Sequence, residues 1–248
     1  MCDRNELMKC YENMKIGIDE PFKFHCTQCG KCCLHRDDIL LNAKDLFQIA
    51  RHFQLSPREV LEQYCETYIG HDSRLPIVRL KSRGSVKRCV FLKDRKCSIH
   101  EVKPTVCAIF PIGRAFQIKS DEDISKTTDT SNITYIFTNP GCGDDTELHT
   151  VREWFDSFHI PLEDAFFRDW STTTILLSGD IKIVEEKVSE ETMIAIWNAA
   201  LMSLYLDYDI TKDFQEQFQT NKKKLLEVIR TIADLASELL NDKRKIKA

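Results

Sequence analysis

The run Phe24-His25-Cys26-Thr27-Gln28-Cys29-Gly30-Lys31-Cys32-Cys33 sets three thiols at successive three-residue intervals and a fourth directly after the last. Thiolates are soft ligands that suit zinc, iron and iron–sulfur clusters. A loop carrying three of them in phase can present all three to one centre, with Gly30 freeing the backbone to turn. A lone C-x-x-C could serve as a redox dithiol; three cysteines in phase plus Cys33 exceed what thiol exchange requires. Adjacent side chains project in different directions, so Cys33 is expected to ligate a second metal or to act as a thiol that modulates the first. The completing ligands must come from farther along, and the chain offers Cys89, Cys97, Cys107 and Cys142. Eight candidate thiols (Cys26, Cys29, Cys32, Cys33, Cys89, Cys97, Cys107 and Cys142) suffice for two four-thiolate sites, or for one site with redox-active spares.

Spacing favours an iron–sulfur cluster over zinc. A close triplet with a remote fourth cysteine is a cluster arrangement, whereas structural zinc more often uses two separated C-x-x-C knuckles, and only one such region occurs here. Zinc is the alternative, and full cysteine coordination would make it structural, with no open position for water. His25, His35 and His100 flank the motif cysteines, but with thiols in sufficient number they read as solvent-facing or hydrogen-bonded histidines. Cys2, Cys10 and Cys65 lie outside the set; Cys65, in the stretch VLEQYCETYI, reads as a half-buried small hydrophobe on a helix.

The F-x-C-x-x-C-G-x-C-C run is followed by C-x-F-L at Cys89, C-x-I-H at Cys97, Pro104 three residues before Cys107, and Phe110-Pro111 after it. This ordered set resembles the CxxCxxCC cysteine-cluster family, the YkgJ-like proteins described as zinc- or iron-chelating, over roughly residues 22–143, about half the chain. The resemblance implies that the eight cysteines named above occupy the family's cysteine positions. Lys103 stands before Pro104 where the family typically carries arginine, which weakens any role that needs a bidentate guanidinium. Some flagellin lysine N-methylases are similar across the same motifs, which implies S-adenosylmethionine-dependent methyl transfer to a protein lysine as an alternative activity. The residues support that alternative poorly: there is no G-x-G-x-x-G after a strand and there are only eight glycines. No residue set can be named as catalytic. A third alternative is a zinc-stabilised interaction module.

Composition is consistent with a thiol-bound metal. Eleven cysteines in 248 residues accompany a charged N-terminus with no apolar export core, so the chain is expected to stay in the cytoplasm, where thiols are reduced and disulfides rare. No stretch reaches the roughly 18 uncharged apolar residues of a spanning helix, so no membrane association is expected. A formal charge of -4 gives no global attraction to nucleic acid, which is not expected as a partner. One local exception runs from Arg79 to Lys96, where Arg79, Lys81, Arg83, Lys87, Arg88, Lys93, Arg95 and Lys96 face the single acid Asp94. This stretch or the helical half could dock a protein partner, although alternating charges usually mark the solvated face of a hairpin.

These cysteines need elements to hold them, and the pattern predicts an α+β chain. A small cysteine-rich metal-binding unit with short strands and two helices spans residues 22–145, followed by a mainly helical region over 146–248. Apolar residues at helical spacing mark Asn42 to Leu55, and Ser56-Pro57-Arg58-Glu59 reads as a capping box opening a second helix. A hairpin is expected about Gly84 within Leu75 to Leu92, with further strands at Arg114 to Lys119 and Ile133 to Thr138. The polar stretch between those two strands reads as an exposed loop. After Gly143 the pattern is helical almost throughout, near Glu147 to Phe158, Pro161 to Leu177, Glu190 to Asp207 and Asn221 to Asn241. Trp154, Trp170 and Trp197 read as core.

Overall fold

Strand Pro21–His25 alternates strictly, with Phe22 and Phe24 buried and Pro21 and Lys23 exposed, as a strand with one packed face must. In the computed structural model, which describes residue 9, residues 11–116 and residues 133–246, this strand pairs antiparallel with Asp144–Thr150. The fold is α+β, with short antiparallel strands and a helical C-terminal part. Among the described residues no helix is long and apolar enough to cross a membrane.

The chain divides into two compact units, one formed by residues 1–39 and 82–168 and the other by residues 40–81 and 169–248. In the first, Ile133–Phe137 is the centre of a three-stranded antiparallel sheet between Lys15–Ile16 and Ile112–Phe116. Phe22, Phe24, Ile109, Tyr135, Trp154 and Phe155 contribute to its core. The Trp154 indole NH donates to the Ile109 carbonyl at 3.0 Å, so the polar edge of this buried ring is satisfied. Helix Val151–Asp156 is opened by Thr150 and Glu153 in a reciprocal capping box. Two ribbons complete the unit, Ser82–Arg83 with Arg88–Cys89 and Leu92–Lys93 with Lys96–Cys97.

In the second unit Pro76–Leu80 lies between Leu40–Leu41 and Cys65–Ile69. Helices Ala43–Phe53 and Pro57–Tyr64 belong here, each started by a capping box, Asn42 with Asp45 and Ser56 with Glu59. The long helices follow: Ala165–Glu185, whose first residues lie in the other unit; Glu190–Leu201, which runs into a wider turn at Met202–Leu206; and Phe214–Ile246. Leu46, Ile49, Leu177, Ile181, Phe218 and Ile229 are nearly inaccessible to solvent and line its core. Because the cap at Ser56 satisfies orphan amides at one exposed helix end, Ser56→Ala is expected to cost about 1 kcal/mol, read as a lower denaturation midpoint with an unchanged slope.

Several expectations change. The hairpin about Gly84 forms, but only Ser82–Arg83 and Arg88–Cys89 pair in it; Pro76–Leu80 pairs with Cys65–Ile69 and Leu40–Leu41 instead. The helix from Pro57 stops at Tyr64, and Cys65 opens a strand, where it is buried at 3% exposure. Residues 144–150, read in part as helical, form a strand, and the helix begins only at Val151. Trp154 is buried, whereas Trp170 and Trp197 are half-buried. The polar loop before Ile133, together with Cys2 and Cys10, lies outside the described residues.

Candidate metal centre

All eight motif cysteines fall in the first unit, and Cys65 falls in the second. All eight are free thiols; Cys26 is exposed, Cys89 buried and the rest in between. Cys26 follows strand Pro21–His25 directly, and Cys32 and Cys33 sit on a short tight turn, Lys31–Cys33. Cys89 and Cys97 close the second strands of the two ribbons. Cys107 is on the helical turn Thr105–Ala108, and Cys142 is in the loop before Asp144–Thr150.

Two glycines make the loops possible. Gly30 has φ 72°, and a Cβ there would lie 2.9 Å from the Arg95 carbonyl oxygen. Gly143 has φ 71°, and a Cβ would collide with the His25 carbonyl. Both positions need the left-handed conformation and close backbone approach that glycine alone supplies without strain. The approaches draw the cysteine run against the second ribbon and against the Cys142 loop.

Backbone amides are aimed at sulfur. The Lys31 N–H donates to Cys29 and is the main cause holding that thiol below its ordinary pKa, with help from the Gly143 N–H and the Thr27 side chain. Burial pushes Cys89 up, opposed by the N–H groups of Phe91 and Leu92; burial likewise pushes Cys97 up, opposed by the Ile99 N–H. Three cysteines thus receive an amide from the residue two positions on, an arrangement that favours sulfur as an anion. Cations add to this, Arg36 and Lys103 acting on Cys32, Lys103 on Cys97 and Arg83 on Cys89.

Cys32 and Cys33 do not diverge as adjacent residues were expected to, for their Sγ atoms are 4.0 Å apart. The hydrogen bond from Cys33 is the main reason that Cys32 is lowered to about 6; Cys33 is raised by the same partner, by burial and by Cys89 and Cys107. Cys142 is pushed up to about 11, first by burial and then by Cys29, Cys32 and Cys26. In metal-free protein at pH 7 Cys32 therefore favours the thiolate and Cys142 the thiol. Lower basicity reduces the nucleophilicity of the Cys32 thiolate, but its larger thiolate population outweighs that loss, and the expected result is alkylation of Cys32 faster than Cys142 by roughly tenfold or more, measured by peptide mapping after a short iodoacetamide pulse.

Among the described residues no three His, Cys, Asp or Glu side chains stand together as a ready coordination sphere. The donors are nevertheless mutual neighbours in charge, and the donor set, free thiols with amides and cations directed at them, fits a thiolate-bound metal. His25 is engaged elsewhere, its Nδ1 lying 3.2 Å from Asp144 Oδ1 and 3.3 Å from the Thr146 hydroxyl. His35 and His100 are exposed. Cys142 borders a cleft of about 640 Å³ that Phe22, Phe24, Lys15 and Asp144 also line. Neither this cleft nor the amide donors could be found from cysteine spacing.

These features describe a cysteine-cluster, metal-binding domain. Residues 25–131 match the CxxCxxCC family model, described as "Putative zinc- or iron-chelating domain". Cys142 lies beyond the matched span. The chain is also 35% identical over 113 residues to an uncharacterized protein of Methanocaldococcus jannaschii, the match covering 44% of this chain and 55% of that relative. The chain thus spans about half the length of the curated relative. No solved structure matches.

Proposed function

We propose that this chain is an iron–sulfur protein with a redox or cluster-related role, its eight motif cysteines divided into two four-thiolate sets. Cys26, Cys29, Cys32 and Cys142 form one set, and Cys33, Cys89, Cys97 and Cys107 the other. The observation that carries the reading is the pattern of mutual charge. Cys142 is acted on by Cys29, Cys32 and Cys26, while Cys33 is acted on first by its neighbour Cys32 and then by Cys89 and Cys107, and Cys89 by Cys97; Cys32 also acts on Cys97, so the two sets adjoin at Cys32 and Cys33. Such a partition gives Cys33 the place of the last cysteine in a two-cluster ferredoxin run, which ligates the other cluster. The amides directed at Cys29, Cys89 and Cys97 support it further, because hydrogen bonds to sulfur stabilise and tune such centres. When bound, clusters would supply one-electron chemistry; the chain's part is to hold the thiolates, shield them and set their potential.

Zinc has one observation in its favour. The 4.0 Å between the sulfurs of Cys32 and Cys33 is close to the edge of a zinc–thiolate tetrahedron, about 3.8 Å for bonds of about 2.3 Å. One zinc ion taking both would require four thiols, not eight. Thiol counting separates the two readings: the metal-loaded chain is titrated with a thiol reagent before and after metal removal. Two clusters predict eight of the eleven cysteines protected by metal, whereas a single zinc site protects four.

A further inference from the structure

The two ribbons carry an arrangement that the metal centre does not require. In the first, Arg83 lies directly across from Arg88; in the second, Lys93 lies directly across from Lys96. All four are exposed. Like charges directly opposed on paired strands repel and weaken the pairing, and each of these ribbons has only two pairs to hold it. Their turns are strained as well, with positive φ at Lys87, Asp94 and Arg95, none of them glycine.

Neutralising the thiolates explains only some of these cations. Arg83 acts on Cys89 and donates to the Val90 carbonyl, Lys87 pairs with Asp37, and Arg95 reaches the Cys29 carbonyl at 3.4 Å. Arg79 and Lys81 of the same basic stretch are engaged in the second unit, Arg79 with Glu66 and Lys81 with the Glu62 carbonyl. Arg88, Lys93 and Lys96 have no ion pair among the described residues, so three cations stand outward on a surface that is less stable for holding them.

We propose that the outer face of these two ribbons, centred on Arg88, Lys93 and Lys96, is the docking surface for a protein partner with a carboxylate-rich face. An opposing set of carboxylates would relieve the repulsion, so the charge arrangement is satisfied in the complex and not in the free chain. A protein fits better than nucleic acid. The only aromatic residue from Ser82 to Lys96 is Phe91, which is buried and offers bases nothing to stack on, while Val86, 41% exposed at the first turn, adds an apolar contact. Docking there would bring the partner to the strands that end in Cys89 and Cys97, though the binding itself does not depend on which metal they hold.

The test uses the full chain and three labelled probes at low ionic strength: poly-L-glutamate, single-stranded DNA and duplex DNA. The double variant Arg88→Glu/Lys96→Glu turns both like-charge pairs into opposite pairs, and Lys223→Glu/Lys224→Glu makes the same charge change on an exposed stretch of the long C-terminal helix. Expected are binding of poly-L-glutamate by the native chain, at least a tenfold loss in the ribbon variant and little change in the helix variant. The ribbon variant should also melt no lower than the native chain, and Arg88→Gln/Lys96→Gln should lose binding partially. Equal losses in both Glu variants, or undiminished binding by the ribbon variant, would overturn the proposal. Tighter binding of either DNA than of poly-L-glutamate would overturn it in favour of a nucleic-acid surface.

Discussion

Cys29→Ser and Cys142→Ser are each expected to remove about half of the bound metal, and so are Cys89→Ser and Cys107→Ser. Combining one substitution from each pair should remove nearly all of it. The reason is the proposed partition of the thiols: Cys142 is acted on by Cys29, Cys32 and Cys26, whereas Cys33, acted on first by its neighbour Cys32, is acted on also by Cys89 and Cys107. A serine hydroxyl stays protonated at neutral pH and is a harder, weaker ligand than thiolate, so a four-thiolate site that loses one member binds far less well. Substitutions within a set should add little to one another, and substitutions across sets should sum. Cys65→Ser is the control, since that thiol is buried in the other unit and should leave the metal content unchanged. Loss of all metal from any single motif variant would mean one shared centre.

The second large effect is expected at Gly143. An alanine there must hold φ near 71° and place its Cβ against the His25 carbonyl, so the Cys142 loop has to move away from strand Pro21–His25. Left-handed strain alone costs roughly 1–2 kcal/mol, and the backbone collision adds to it. The same movement withdraws the Gly143 N–H from Cys29, linking a stability defect to a change in the site. Gly143→Ala should therefore lower the melting temperature by several degrees and diminish the metal held by the Cys26–Cys142 set, while the other set keeps its share. Gly84→Ala is a useful comparison, because its φ is also positive but a Cβ there meets nothing within 4 Å. It should show the strain without the collision and without metal loss. Melting curves and metal analysis of the two variants decide this.

How much could be read beforehand depended on sequence distance. The capping box at Ser56 and Glu59 and the turn at Gly84 are local signals, written within a few residues, and the structure realises both. Strand Asp144–Thr150 has almost no apolar residue to mark it, and its partner Pro21–His25 lies more than a hundred residues away, so its pairing left no pattern in either segment alone. Cys65 was missed as a strand residue for a related reason, since the helix before it ends without a glycine or proline to announce the stop. The division into two units was hidden because residues 40–81 leave the cysteine-bearing segment and pack with the C-terminal helices. At the metal centre the candidate ligands were evident from their spacing. What spacing does not encode is backbone direction, and it is backbone direction that aims the amides of Lys31, Phe91 and Ile99 at sulfur and turns Cys32 toward Cys33.

The most direct test of the iron–sulfur reading is the content of iron, acid-labile sulfide and zinc per chain after anaerobic purification, taken with the absorption spectrum. The expected result is a brown protein with iron and sulfide in equal amounts, little zinc, and visible absorbance that bleaches on exposure to air. A colourless chain holding zinc and no sulfide would contradict it and make the cysteine centre a structural staple.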